Sequence, residues 1–151
     1  MSFTERAVSS LDPGDLSRDA TPFSVMCIDD NLLLIDALER RFDIEPGFTG
    51  LQRADDLATC VDRVVELQPT VVLLDVDLPG GVDAMTLLDG IVERAPSTRV
   101  LVFSGFATGD LVRRAMARGA WGFVSKGTSA ERLIGAVKRV VDGHAIIELE
   151  E

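Results

Sequence analysis

The stretch that most restricts this chain is Thr70-Val71-Val72-Leu73-Leu74-Asp75, an apolar run that ends on a carboxylate and is followed by the turn signal Leu78-Pro79-Gly80-Gly81. A short unbroken apolar run of this kind reads as a strand covered on both faces, as strands of a parallel sheet are. Three further runs also end on reactive side chains. Val25-Met26-Cys27-Ile28 leads to Asp29-Asp30, Val100-Leu101-Val102-Phe103 to Ser104, and Trp121-Gly122-Phe123-Val124-Ser125 to Lys126. In an open parallel sheet, ligands collect beyond the carboxyl ends of the strands, so a shared sheet would gather these groups at one edge.

Between the runs lie helices. Asp30 or Asn31 supplies an N-cap for a first helix bearing Leu32, Leu33, Ile35, Ala37, Leu38 and Phe42, which Pro46-Gly47 closes. Phe48 to Gln52 is a weakly signalled second strand. Asp55-Asp56 cap a second helix, whose Leu57, Cys60, Val61, Val64 and Val65 share one face at i, i+3, i+4, i+7 and i+8. A third helix carries Ala84, Leu87, Leu88, Ile91 and Val92, and a fourth, ended by Gly119, carries Leu111, Val112, Ala115 and Met116. Thr128 or Ser129 caps a fifth, with Leu133, Val137, Val140 and Val141 inward. Strand and helix thus alternate five times, which predicts an α/β fold: a five-stranded parallel sheet with five helices on both faces. The expected organisation is a flexible leader over 1–22, one domain over 23–144 and an acidic tail over 145–151.

A chain of 151 residues supports one well-buried core. Its 15 Lys plus Arg against 25 Asp plus Glu give a net charge of −10, which argues against direct nucleic-acid binding, since that affinity comes from cationic side chains releasing counterions. The apolar runs are strand-sized, far short of the ~20 residues of a membrane span, and the leader lacks the apolar segment of a secretory signal. No membrane association and a cytoplasmic location are expected. Cys27 and Cys60 have no metal-ligand spacing and read as small core residues, and His144 has no partner nearby in sequence.

The chemistry resides in the acids. Asp29, Asp30 and Asp75 at one edge repel one another, and a hard divalent cation relieves that repulsion. Oxygen ligands suit Mg²⁺, with Mn²⁺ as the alternative ion. Ser104 can donate to a phosphoryl oxygen and Lys126 can neutralise another. Together they describe a site for moving a phosphoryl group onto a carboxylate, with Asp75 as nucleophile.

From Phe23 to Gly143 the chain resembles the receiver domain of two-component response regulators. The matching motifs are Cys27-Ile28-Asp29-Asp30-Asn31, Leu73-Leu74-Asp75-Val76-Asp77-Leu78-Pro79-Gly80, Phe103-Ser104-Gly105 and Gly119-Ala120-Trp121-Gly122-Phe123-Val124-Ser125-Lys126. The Gly119-to-Gly143 context is most similar to the receivers of NarL/LuxR-type regulators, which precede a DNA-binding domain. The resemblance implies a CheY-like, flavodoxin-like sheet in the order 2-1-3-4-5. It also implies phosphorylation of Asp75 by a histidine kinase or histidine phosphotransfer protein, and a metal site of Asp30, Asp75 and the Asp77 main-chain carbonyl supported by Asp29. Ser104 and Phe123 stand where receivers keep their switch residues. The output would be a downstream protein or a C-terminal effector.

Gly127 follows Lys126 where many receivers have proline, the loop after Pro79 is one residue longer than usual, and Asp77 adds charge beside the site. Alternation places Trp121 on the same side as Phe123, either covering the core or marking an output surface. Arg113, Arg114, Arg118, Lys138 and Arg139 would surround it as a face for a partner or for a homodimer. The rivals are a haloacid-dehalogenase-like phosphatase using Asp75 and Asp77, the receiver portion of a longer DNA-binding regulator, and a pseudo-receiver acting only as an interaction module. Against the phosphatase, Asp29-Asp30 stay unexplained and no downstream acidic pair completes its metal site.

Overall fold

The computed structural model describes residues 22–149, so the expected leader lies, except for Pro22, outside them. Strands β1 (Phe23–Ile28), β2 (Phe48–Arg53), β3 (Val71–Leu74), β4 (Arg99–Ser104) and β5 (Gly122–Ser125) alternate with helices α1 (Leu32–Asp43), α2 (Cys60–Leu67), α3 (Ala84–Arg94), α4 (Gly109–Ala117) and α5 (Ala130–Val141). A sixth strand, β6 (Ile146–Glu148), follows α5. All pairings are parallel, and the strand order is 2-1-3-4-5-6. The expected five strands are therefore six, and the acidic tail is in part sheet. Its Ile146 is buried against α5, and the absent side chain of Gly122 makes the room: a Cβ there would lie 2.6 Å from the Ile146 carbonyl oxygen.

The inner strands β3 and β5 are buried throughout, and β1 and β4 nearly so, because both sheet faces are covered. Val25, Cys27, Leu73, Leu101 and Val124 face α1 and α5, while Met26, Ile28, Val72, Val102 and Phe123 face α2, α3 and α4. Of the broad apolar surface of α1, only Ile35, Leu38 and Phe42 are buried; Leu32 and Leu33 are 64% and 82% exposed. Trp121 departs from the expected alternation. It precedes β5, packs with the α1–α5 cluster under the Arg99 guanidinium (4.2 Å), and lies opposite Phe123.

Local chemistry sets the helix starts. Asn31, Asp83, Thr108 and Ser129 each accept an N–H of the first turn in α1, α3, α4 and α5. Helix α2 begins a turn later than the Asp55-Asp56 caps predict, because the Asp56 carboxylate accepts the Ala58 N–H (2.9 Å) and closes a separate turn. The long loop after Pro79 is absorbed by Gly80 and Gly81, both in the left-handed region at φ 70° and 72°, before Asp83 starts α3. No peptide bond among the described residues is cis, the Lys126-Gly127 bond included. Among those residues no helix is long and apolar enough to cross a membrane.

Candidate phosphoacceptor site

The ends of β1, β3, β4 and β5 deliver the predicted residues to one edge. Asp29 extends β1 and Asp75 extends β3, which are in register as direct neighbours, so both carboxylates are buried side by side. Lys126, just beyond β5, sets its Nζ 2.7 Å from Asp29 Oδ2 and 3.3 Å from Asp75 Oδ1. The buried Asp29 Oδ2 thus has the Lys126 ammonium as its ion-pair partner. Asp29 Oδ1 accepts the Asn31 N–H (2.9 Å), and Asp75 Oδ1 accepts the Asp77 N–H (3.2 Å).

Asp30 is exposed at the mouth, yet carboxylate oxygens of Asp29, Asp30 and Asp75 all come within 4.8 Å of one another. Three acids against one ammonium leave a formal charge of −2 when all are ionised, and the donors are oxygen only, a set that fits a hard divalent cation. Burial and then the Asp29 charge push the Asp75 carboxyl above the usual carboxylate range, although the Asp77 N–H and Lys126 oppose them. For Lys126, burial works to lower the ammonium pKa, but Asp29 and then Asp75 prevail and raise it. The neighbouring Cys27 thiol is pushed up to about 12 by burial and the Asp29 charge, so at neutral pH it is no nucleophile.

A cleft of about 420 Å³ opens over these groups, lined by Asp30, Asn31, Asp75, Asp77, Gly105, Phe106 and Lys126. The Asp77 side chain is exposed on its rim. Ser104 is buried at the end of β4, next in sequence to the cleft-lining Gly105, and its Oγ accepts the Phe106 N–H (3.0 Å). Phe123, in register with Val102 on the next strand, is fully buried. Phe106, 71% exposed at the cleft wall, was not singled out from the sequence. Its signal was a large aromatic among the small residues of the turn Gly105-Phe106-Ala107-Thr108.

The residues proposed for an output surface do not form one group. Arg113 and Arg114 are exposed on α4 and face Asp110 at 3.0 and 4.0 Å, and Arg118 pairs with Asp89 of α3. Lys138 instead reaches Glu45 after α1, on the other side of the sheet, where Trp121 also packs.

Residues 25–138 match the model of the response regulator receiver domain. The chain is 38% identical over 104 residues to the transcriptional activator protein ExaE of Pseudomonas putida, covering 68% of this chain and 48% of that one. It is 32% identical over 125 residues to the transcriptional regulatory protein DegU of Brevibacillus brevis, covering 82% and 52%. The chain thus spans about half the length of these curated relatives. Among solved structures, the receiver domain of NarL from Mycobacterium tuberculosis superposes with a TM-score of 0.74 at 26% identity, over 82% of this chain and 98% of that one. A LuxR-family response regulator from Aurantimonas gives 0.76 at 22% identity, over 83% and 89%, a likeness of fold. With two strands ahead of the Asp75-Asp77 pair, a sheet order matching the receiver and a family match over most of the chain, the phosphatase alternative is set aside, and the chain belongs to the response regulator receiver domains of two-component systems, similar to those of NarL/LuxR-type regulators.

Proposed function

We propose that Asp75 is the phosphoacceptor, and that its donor is a histidine kinase or a histidine phosphotransfer protein. The observation that carries this reading is the pairing of buried Asp75 with Asp29 and Lys126 at the floor of an open cleft. An Asp75 carboxylate oxygen forms the new bond to phosphorus as the phosphorus–nitrogen bond of the donor phosphohistidine breaks, its electron pair leaving with the imidazole nitrogen. Hydrolysis later returns the carboxylate and inorganic phosphate. Lys126 offers its ammonium to one phosphoryl oxygen, and the Ser104 hydroxyl donates to another.

Asp29, Asp30, Asp75 and the main-chain carbonyl of Asp77 would hold Mg²⁺, or Mn²⁺ in its place. That ion supplies charge neutralisation between the acids and the incoming phosphoryl group. The protein's own part is to keep the acids close and the Lys126 cation within reach of both. Gly105 has open space around it and leaves the approach to Asp75 clear. When Ser104 turns toward the phosphoryl group it gives up the Phe106 N–H, and the vacated space admits the Phe123 ring. The output surface is then the α4–β5–α5 face with Arg113 and Arg114, without Trp121, which packs on the α1–α5 side, and it is read by a downstream protein, a C-terminal effector or a second copy of the chain. Direct nucleic-acid binding by residues 1–151 is not part of this reading, and the chain acts in the cytoplasm as a signalling acceptor that assists its own phosphorylation and dephosphorylation.

Intact-mass measurement after treatment with acetyl phosphate and Mg²⁺ tests the assignment. One added phosphoryl group is expected, and none in Asp75→Asn or when Mg²⁺ is chelated. An adduct that persists in Asp75→Asn would sink it.

A further inference from the structure

Strand β6 has no part in the site, yet it occupies the outer edge of the strand that carries Phe123. Paired residues on neighbouring parallel strands project to the same face. The register Phe123↔Ile147 therefore puts Ile147 on the same sheet face as Phe123, one strand over, while Gly122↔Ile146 directs Ile146 toward α5. Three features seat the strand. The Ile146 N–H donates to the Trp121 carbonyl oxygen (3.1 Å), Arg132 of α5 pairs with Glu148 (3.0 Å), and Gly122 leaves the space that a side chain would take from Ile146. The hold is nonetheless light. β6 has three residues, and Ile147 remains 51% exposed even when docked.

We propose that β6 is a latch on the β5 edge whose hold is set by the state of Asp75. The proposal rests on the Ser104–Phe123 switch described above. A Phe123 ring that turns toward Ser104 moves away from Ile147, which then loses an apolar neighbour and gains exposure to water. Phosphorylation thereby loosens β6 and bares the β5 edge between α4 and α5, whose main-chain groups are otherwise paired with the chain's own Ile146–Glu148. Linkage makes the coupling reciprocal: whatever factor the phosphoryl group takes from β6 docking, loss of β6 docking returns to the phosphorylated state.

The test follows the Ile146 amide by hydrogen exchange in the full chain, with acetyl phosphate and Mg²⁺, alongside intact mass. In the phosphorylated chain the Ile146 amide should exchange about fivefold faster or more, at the lower end of ordinary coupling between sites, while β3 and β4 amides keep their protection. The same reagents should leave Ile146 unchanged in Asp75→Asn, and acceleration there would overturn the latch. An adduct with Ile146 still fully protected overturns the latch and leaves the phosphoacceptor reading standing; no adduct in the native chain overturns both. The converse arm needs no phosphate-induced motion. Ile147→Ala, at a half-exposed site, and Ile146→Asp, which evicts the strand more strongly, should both accumulate more phosphoryl group on Asp75 than the native chain at equal donor. If both expose the Ile146 region yet load Asp75 to the native level, the coupling does not exist.

Discussion

Helices α1 and α5 on one face of the sheet are held in a different way from α4 on the other. On the first face, α5 buries Leu133, Ile134, Ala136, Val137 and Val140, and α1 buries Ile35, Leu38 and Phe42. Charges then tie these helices to each other and to the sheet. Arg41 reaches both Glu131 and Glu45, Lys138 reaches Glu45, and Arg99 donates to the Val140 and Val141 carbonyl oxygens at the end of α5. On the other face α4 buries Ala115 alone, flanked by the half-buried Leu111, Val112 and Met116. Its cross-helix tie is the exposed Arg118–Asp89 pair. The contrast teaches where this receiver can move. The α1–α5 face is a fixed base, and α4, next to Phe123, can shift without dismantling a core.

The largest test removes an anchor of the fixed face. Phe42 is fully buried and meets the Phe48 ring edge-on at 5.2 Å, so Phe42→Ala should cost about 3–5 kcal/mol of global stability in urea titration. A loss confined to α1, with the rest of the sheet intact, would break the comparison by showing that this face is no shared base.

Next comes the site that straddles both faces. Because the folded pKa of Asp75 is raised, mainly by burial, the folded state binds its proton more tightly than the unfolded chain does. The stabilising contribution is therefore present below the unfolded carboxylate pKa and is lost as pH rises through the folded one; above that, the ionised group opposes folding. Asp75→Asn should melt higher than the native chain at neutral pH, with the gap closing as the solution is acidified toward the ordinary carboxylate pKa of about 4. A gap that widens in acid would mean that Lys126 outweighs burial and the Asp29 charge.

A smaller effect is expected at α4. Ala115→Gly should weaken that helix by about 1 kcal/mol and speed exchange of α4 amides about fivefold, leaving α5 amides unchanged. Equal acceleration in α5 would show that the two faces open together.

These differences were unevenly legible in the sequence. The apolar runs are read one strand at a time, and each carries its terminal side chain with it, so the meeting of Asp29, Asp30, Asp75, Ser104 and Lys126 followed from the βα alternation and a shared sheet. β6 was hidden because a three-residue strand has little pattern of its own; it exists because Gly122 leaves room for Ile146, a fact about a neighbour 24 positions back. The late start of α2 was hidden because an aspartate can cap a helix or close a turn equally well, and Asp56 does the second. Trp121 fell on the unexpected face since it stands before the regular strand, where alternation does not apply. The Arg41–Glu131 pair joins residues 90 positions apart, and only the sheet order makes α1 and α5 neighbours.

That pair gives the finest test of the comparison. Arg41 forks between Glu131 of α5 and Glu45 at the end of α1 with contacts of 2.8 Å; it draws the Glu131 carboxyl below the usual range, and Lys138 and then Arg41 do the same to Glu45. Both acids therefore favour folding in their ionised form, a contribution present above the unfolded carboxylate pKa and lost as pH falls through the lowered folded values. The groups are in contact with solvent, so the effect should be the least of the four and sensitive to salt, nearly gone at about 1 M, where the screening length is about 3 Å. Arg41→Ala should lower the melting temperature slightly at low salt and not at high salt, and should loosen α5 amides before those of β4. If the variant loses as much stability in high salt as in low, the guanidinium acts by packing its stem against the helices, and the fixed face owes its order to apolar contacts alone.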